Sequence, residues 1–141
     1  MFPSANLPYS SSDARPAASA AHTVIRVLTI TYGLVPIIAG LDKFANLLTN
    51  WEAYLAPAVV RMLPVSAHTF MLVVGVIEII AGILVLVRPR IGAWVVMAWL
   101  LGIALNLVVS GRYFDVAVRD AVMAVGAWSL ARLTAGAGTQ A

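Results

Sequence analysis

The chain has 141 residues, of which 62% are hydrophobic and 11% charged, and its mean hydropathy is +0.94. Because a water-soluble domain of this size needs a more polar surface, this composition excludes the soluble class and indicates a protein covered by lipid. The 9 basic and 6 acidic residues are scattered, which disfavours nucleic-acid binding, and zero cysteines exclude disulfides, thiolate-bound iron–sulfur clusters and cysteine zinc sites.

The first 22 residues are rich in Ser, Ala and Pro. Pro3, Pro8 and Pro16 are spaced so that no helix or strand is expected, which predicts a disordered tail over residues 1–22. This tail lacks the charged start and apolar run of a signal peptide, and the apolar run from Val24 is too long for a cleaved signal. We therefore expect that run to remain as a membrane anchor.

Four apolar stretches follow, each near the ~20 residues that a helix needs to cross a hydrocarbon core. They cover about residues 23–44, 66–87, 91–110 and 116–133. Because a backbone in lipid must satisfy its own hydrogen bonds, helices are expected for all four. The predicted fold is an all-α polytopic membrane protein, a four-helix transmembrane bundle over residues 23–133, with a flexible tail at 134–141.

The connections between these helices differ in length. Only Arg88, Pro89 and Arg90 separate the second and third helices, which predicts a tight antiparallel hairpin. The longer connection after the first helix mixes Trp51, Tyr54 and other apolar residues with polar ones, as in an amphipathic segment at the membrane interface. The hairpin arginines predict that both termini are cytoplasmic, and we expect a multi-pass protein of the bacterial cytoplasmic membrane.

Two glycine pairs repeat in the first two helices, Gly33 with Gly40 and Gly75 with Gly82. Glycines seven residues apart lie on one helix face and let another backbone approach closely. A duplicated packing surface explains this similarity more simply than an ancient repeat. The two stretches differ where Glu78 stands in place of Pro36.

Glu78 lies near the middle of the second helix. An unpaired carboxylate at that depth would cost at least ~2.5 kcal/mol, so Glu78 is expected to be paired, protonated or facing a polar cavity. Arg26, near the cytoplasmic end of the first helix, is the one cation expected to approach it from below, across about two helical turns. The alternative is that Arg26 only reaches the inner headgroups.

A second group of polar residues is predicted to share one layer near the outer ends of the helices. Arg119 is expected to pair with Asp115 four residues earlier, which leaves Asp120 free to point inward toward Lys43 or Asn106. The full candidate intramembrane site, including the residues near Glu78, is Arg26, Asp42, Lys43, Glu78, Asn106, Arg119 and Asp120. It is interpreted either as a polar pocket for a headgroup, a quinone or a proton, or as a network that fixes the order of the helices.

Other residue types point to little further chemistry. His22 and His68 are predicted at opposite membrane faces, so they are expected to be interfacial, with no haem and no metal site. Trp99 is deep enough to wall a ring-binding cavity, although packing is its more common role. No phosphate loop, zinc motif or nucleophile elbow is present, and we expect no independent catalytic activity and no evident cofactor other than a quinone.

Three segments together resemble the DoxX-like family of small four-helix membrane proteins. The first helix has Arg26, Gly33 and the ending Gly40-Leu-Asp-Lys43-Phe, and the second has the Glu78 segment ending in Gly82. The remaining matching residues are Arg90, Gly92, Ala93, Tyr113, Asp115, Arg119, Asp120, Ala131, Arg132 and Leu133. The resemblance covers residues 24–133.

This resemblance implies a membrane protein linked to redox metabolism. One branch of the family resembles a thiosulfate:quinone oxidoreductase subunit, and other members act with thiol-handling or superoxide-handling partners. The leading hypothesis is a membrane subunit or anchor of a redox-related complex, with a quinone or lipid pocket near Glu78, Asn106 and Asp120. Its expected partners are membrane lipids and other membrane or redox proteins or further copies of the chain.

Two alternatives from other functional classes remain. The first is a small proton-coupled carrier or channel that uses Glu78 as its titrating group, although four helices leave little room for an aqueous path. The second is a structural membrane scaffold without a ligand.

Overall fold

A computed structural model describes residues 14–137 of the chain, and within that range every regular element is helical. Four helices are long, and a 3₁₀ helix and one short α-helix lie between the first two of them. In chain order the elements are α1 (Ala14–Ala45), the 3₁₀ helix (Trp51–Tyr54), α2 (Pro57–Met62), α3 (Ala67–Val87), α4 (Pro89–Ser110) and α5 (Phe114–Ala137).

Three of the long helices have the length and composition of membrane spans. Ala17–Ala45 of α1, all of α3 and all of α4 are apolar enough to cross a bilayer. α5 is as long, but it carries four charged residues, namely Asp115, Arg119, Asp120 and Arg132. The predicted all-α membrane fold is therefore confirmed for three spans by length and composition.

The outer bounds of the helical region differ from those predicted. α1 begins at Ala14, so residues 14–22 are helical and do not belong to a disordered tail. Pro16 does not prevent this, because N–H groups in the first turn of a helix have no intrahelical acceptor, so the missing N–H of proline removes no helical hydrogen bond there. The alanines that follow Pro16 favour the helix. α5 likewise extends to Ala137, beyond the predicted end at residue 133. Residues 1–13 and 138–141 lie outside the described part of the chain.

α1 and α3 pack against each other through the two glycine pairs. A Cβ atom on Gly40 would lie 2.5 Å from the carbonyl oxygen of Gly75, and one on Gly82 would clash with the carbonyl of Gly33. Gly40 therefore lies level with Gly75 and Gly33 with Gly82, which sets an antiparallel register. The glycines form the packing surface that their spacing predicts, because only a hydrogen side chain permits this backbone contact.

α4 and α5 complete the hydrophobic core, in which many of the residues are small. α4 packs along α5, and the buried cluster contains Tyr32, Ala81, Val85, Ala93, Val96, Leu100, Ala124, Ala127, Leu130 and Ala131. Arg88 alone separates α3 from α4, and the predicted tight hairpin is present. Across α1 and α5, the Tyr32 hydroxyl donates to the carbonyl oxygen of Met123 at 2.6 Å.

The connection between α1 and α3 contains the two short helices. Asn50 caps the 3₁₀ helix by accepting from the N–H of Glu52, and Ser66 caps α3 by accepting from the N–H of Thr69. Leu47, Leu48 and Met62 are exposed apolar residues of this connection. It thus has the mixed character predicted for an interfacial segment.

Candidate functional site

A buried ion pair joins α1 to α3. The ammonium of Lys43 donates a hydrogen bond to Glu78 Oε2 at 2.6 Å, and the two residues are only 4% and 6% exposed. Lys43 lies one turn beyond Gly40, and its Cβ passes close to Gly75, which has no side chain to block it. The lysine stem can therefore run along α3 to reach Glu78, one turn deeper than Gly75.

The second oxygen of Glu78 also has a partner. The indole N–H of Trp99 on α4 donates to Glu78 Oε1 at 3.2 Å. Both carboxylate oxygens are thus bonded by groups from different helices. A buried charge requires this degree of compensation, because each missing partner would leave a desolvated polar atom.

A second tryptophan covers the ammonium. The ring of Trp51, in the 3₁₀ helix, lies 3.7 Å from Lys43 Nζ, the distance of a cation–π contact. The Trp51 indole N–H donates to Asp42 Oδ2 at 2.7 Å. Asp42 also accepts from the backbone N–H groups of Leu47 and Leu48. Asp42 therefore anchors the start of the connection and holds the indole over Lys43.

Asp120 adds a second buried carboxylate to this region. It is 7% exposed, and it lies close enough to Glu78 for the two carboxylates to repel each other. Its ion-pair partner is the adjacent Arg119, whose Nε is 3.8 Å away and whose side chain is 67% exposed. The negative charge of Asp120 is therefore less well compensated than that of Glu78.

Lys43, Glu78, Trp99, Asp120 and Trp51 together are called the polar cluster below. Each long helix contributes one side chain to it, and the 3₁₀ helix contributes the fifth. Within it, Lys43 and Trp99 donate to Glu78 and the Trp51 ring covers the ammonium, whereas the ion-pair partner of Asp120, Arg119, lies outside the cluster. Such a set can bind a polar ring, exchange a proton, or fix the helices relative to one another.

Asn106 has a different role from the one predicted. Its side-chain oxygen accepts from the N–H of Ala56 at 3.1 Å, and its amide donates to the carbonyl oxygen of Tyr54 at 2.8 Å. The ring of Tyr54 also packs against that of Tyr113, with 4.6 Å between centroids. Asn106 therefore clamps the connection onto α4 instead of pairing with Asp120.

Two predicted pairings are wrong. Glu78 pairs with Lys43 and not with Arg26, which is exposed on α1 at the other end of the glycine contact. Arg119 lies beside Asp120 and not beside Asp115, which is exposed at the start of α5. The prediction that Asp120 points inward is supported by its burial, although it has no bond to Lys43 or Asn106 among the described residues.

The sequence did not single out Trp51 as part of the site. Its place in a connection rich in aromatic and apolar residues indicated only an interfacial side chain. The one available signal was the position of Trp51 shortly after Asp42 and Lys43. A connection that turns back onto the end of α1 can bring this side chain against those two residues.

The histidines lie apart from the polar cluster. His22 Nδ1 contacts the carbonyl oxygen of Ala18 at 2.8 Å, and His68 Nδ1 contacts Glu52 Oε1 at 3.0 Å. Within residues 14–137, no three His, Asp or Glu side chains are grouped in a way that could hold a metal ion.

No family model, curated protein or solved structure matches this chain. Its function is therefore inferred from the chemistry of its own residues.

Proposed function

We propose that the chain is a DoxX-like four-helix protein of the bacterial cytoplasmic membrane, in which α5 is the fourth span and both termini are cytoplasmic. Support for a fourth span comes from the packing of α5 along α4 and from the Tyr32 bond to its backbone. Asp120 turns inward, and so only part of the charge of α5 would face lipid. Arg88 and Arg90 at the hairpin support the orientation.

Within this arrangement the protein acts as a membrane subunit or anchor of a redox-related complex and binds a quinone headgroup at the polar cluster. The observation that carries this proposal is the buried Lys43–Glu78 pair, with Trp51 against the ammonium and Trp99 bonded to the carboxylate. Buried ionisable groups inside a membrane are costly, and their retention points to a function.

The chemistry of the polar cluster suits a quinone. A bound quinone would supply two-electron, two-proton redox chemistry. The ammonium of Lys43 and the indole N–H of Trp99 are donors for a carbonyl oxygen, and the Asp120 carboxylate is an acceptor for a hydroxyl. Because both donors are bonded to Glu78, a headgroup would share them with that carboxylate. The tryptophan rings offer apolar faces for a flat ring.

Fluorescence quenching tests this proposal, because a quinone quenches nearby tryptophans. The purified protein in mild detergent would be titrated with a decyl-chain ubiquinone analogue, alongside Trp99→Phe and the matched control Trp128→Phe, which removes an exposed tryptophan of α5. We expect saturable quenching in the wild type and in Trp128→Phe, and a smaller saturable part in Trp99→Phe, in which Trp51 is the remaining tryptophan of the polar cluster. Equal quenching curves for the two variants would contradict quinone binding at the cluster.

A structural scaffold without ligand is the second candidate. It is favoured by the complete bonding of Glu78, since a carboxylate with two partners is already satisfied. Under this alternative the protein shows no saturable quenching and copurifies with no quinone, while substitutions at Glu78 still lower its stability. A proton-coupled carrier is less favoured, because Glu78 would have to change its charge beside the Lys43 ammonium.

A further inference from the structure

An open cavity lies at the turn between α3 and α4, at the opposite end of the molecule from Trp51. Its volume is about 390 Å³. Its lining comes from the turn and from the last part of α5, and consists of Val87, Arg88, Pro89, Arg90, Ile91 and Thr134. It shares no residue with the polar cluster.

The cations at this cavity have no anionic partner within residues 14–137. Neither Arg88 nor Arg90 forms an ion pair there, and both are exposed. Glu78 precedes Arg88 by ten residues, about 15 Å along the helix. Asp120 is twelve residues from Arg132 on α5, which is about 18 Å.

Two more arginines lie at the same end. The antiparallel register of Gly33 with Gly82 places Arg26 of α1 level with residue 89. Arg132 lies two residues before Thr134, which lines the cavity. This end of the described chain is therefore strongly basic, whereas the described acidic residues lie toward the other end or at mid-helix.

Apolar surface borders the same arginines. Val87 is 70% exposed and Ile91 is 50% exposed, and both belong to helices long and apolar enough to span a membrane. A ligand here would meet guanidinium groups at the helix ends and aliphatic side chains immediately beside them. An anionic phospholipid has this combination, with a phosphate at headgroup level and acyl chains next to it.

We propose that the cavity at the α3–α4 turn binds the headgroup of an anionic phospholipid through Arg88 and Arg90. Arginine suits this role because its planar guanidinium can donate two hydrogen bonds to one phosphate. Arg26 and Arg132 add positive charge at the same level. The site is independent of quinone binding, because no residue of the polar cluster takes part in it.

Native mass spectrometry of the full chain in nanodiscs tests this site. The discs would contain phosphatidylcholine with a minor fraction of phosphatidylglycerol of the same chain length, and the ratio of the two lipids retained by the protein would be measured. The variant Arg88→Gln/Arg90→Gln is compared with Arg61→Gln/Arg112→Gln, which removes the same charge from two exposed residues elsewhere. All four substitutions are at exposed positions, so both proteins are expected to fold.

We expect the wild type to enrich phosphatidylglycerol. The Arg88/Arg90 variant should lose that enrichment by about tenfold or more, while the control stays within about twofold of the wild type. Equal losses in the two variants, or no enrichment in the wild type, would overturn the proposal. Full displacement of the lipid by inorganic phosphate would also overturn it, since that result would assign the site to free phosphate.

Discussion

Lys43 at the end of α1 bonds to Glu78 at the centre of α3, and this 2.6 Å contact compensates two charges that are both more than nine-tenths buried. Its geometry depends on the glycine contact between the same two helices. The lysine stem passes Gly75, which is in close backbone contact with Gly40 of α1. Helix packing and the ion pair are therefore one structural unit.

Removing one charge of the pair should destabilise the protein strongly. Glu78→Leu leaves the Lys43 ammonium buried without its partner, and we expect a loss of roughly 3–5 kcal/mol in the free energy of unfolding. The double variant Lys43→Met/Glu78→Leu should be more stable than Glu78→Leu, because it removes both charges. Unfolding in mixed micelles measures both, and Glu52→Gln, a change at a partly exposed carboxylate outside the long helices, is the control. A double variant less stable than Glu78→Leu would show that the pair does not act as a compensated unit.

The glycine contact predicts a sharp difference between two Gly→Ala substitutions. A Cβ on Gly75 would lie 2.7 Å from the carbonyl oxygen of Gly40, so Gly75→Ala must push α1 away from α3. Gly102 has nothing within 4 Å of its Cβ position, and Gly102→Ala should be neutral or slightly stabilising, since alanine is the better helix former. We expect Gly75→Ala to cost about 1–3 kcal/mol of unfolding free energy. Similar thermal stabilities in detergent would contradict the close approach.

Asp42 is predicted to keep the connection between α1 and α3 ordered. It accepts from the Trp51 indole and from the N–H groups of Leu47 and Leu48, and an alanine would free all three donors. Hydrogen exchange over residues 46–56 should become faster in Asp42→Ala than in the wild type. Asp115→Ala, at an exposed aspartate of α5, should leave exchange in that segment unchanged. If both variants exchange as the wild type does, Asp42 does not anchor the segment.

Asn106 should stabilise the same connection from the α4 side. In Asn106→Leu the fully buried Ala56 loses the acceptor of its N–H, and the Tyr54 carbonyl oxygen loses its donor. A buried donor without a partner costs about 1–3 kcal/mol. We therefore expect a lower melting temperature together with faster exchange around residues 54–56. Asn50→Leu, which removes only an exposed capping contact, provides the comparison.

Tyr32 tests the contact between α1 and α5. Its hydroxyl donates to the carbonyl oxygen of Met123 at 2.6 Å and lies against Gly126. Tyr32→Phe keeps the ring and removes the bond, so the free energy of unfolding should fall by about 1 kcal/mol. The matched change Tyr54→Phe keeps a ring whose described contacts are aromatic and should have a smaller effect. The reverse order would show that this bond contributes little to holding α5.

The helices themselves could be predicted because their causes are local. A run of about 20 apolar residues in lipid has to satisfy its backbone internally, and this placed α3, α4 and α5, together with the C-terminal end of α1, within a few residues of their observed bounds. The glycine spacing likewise marked the faces of α1 and α3 that meet. The early start of α1 was missed because Pro16 was treated as a helix breaker, although it lies in the first turn.

By itself, the sequence determined that this chain is helical and suited to a membrane, and that Glu78 required compensation. Only the tertiary structure decided that Lys43 supplies it, that Trp51 covers the ammonium, and that Asn106 holds the connection. The physical reason is that helical periodicity and hydrocarbon thickness act along one segment. The choice of partner depends instead on the register between helices and on how far a flexible side chain reaches past a glycine.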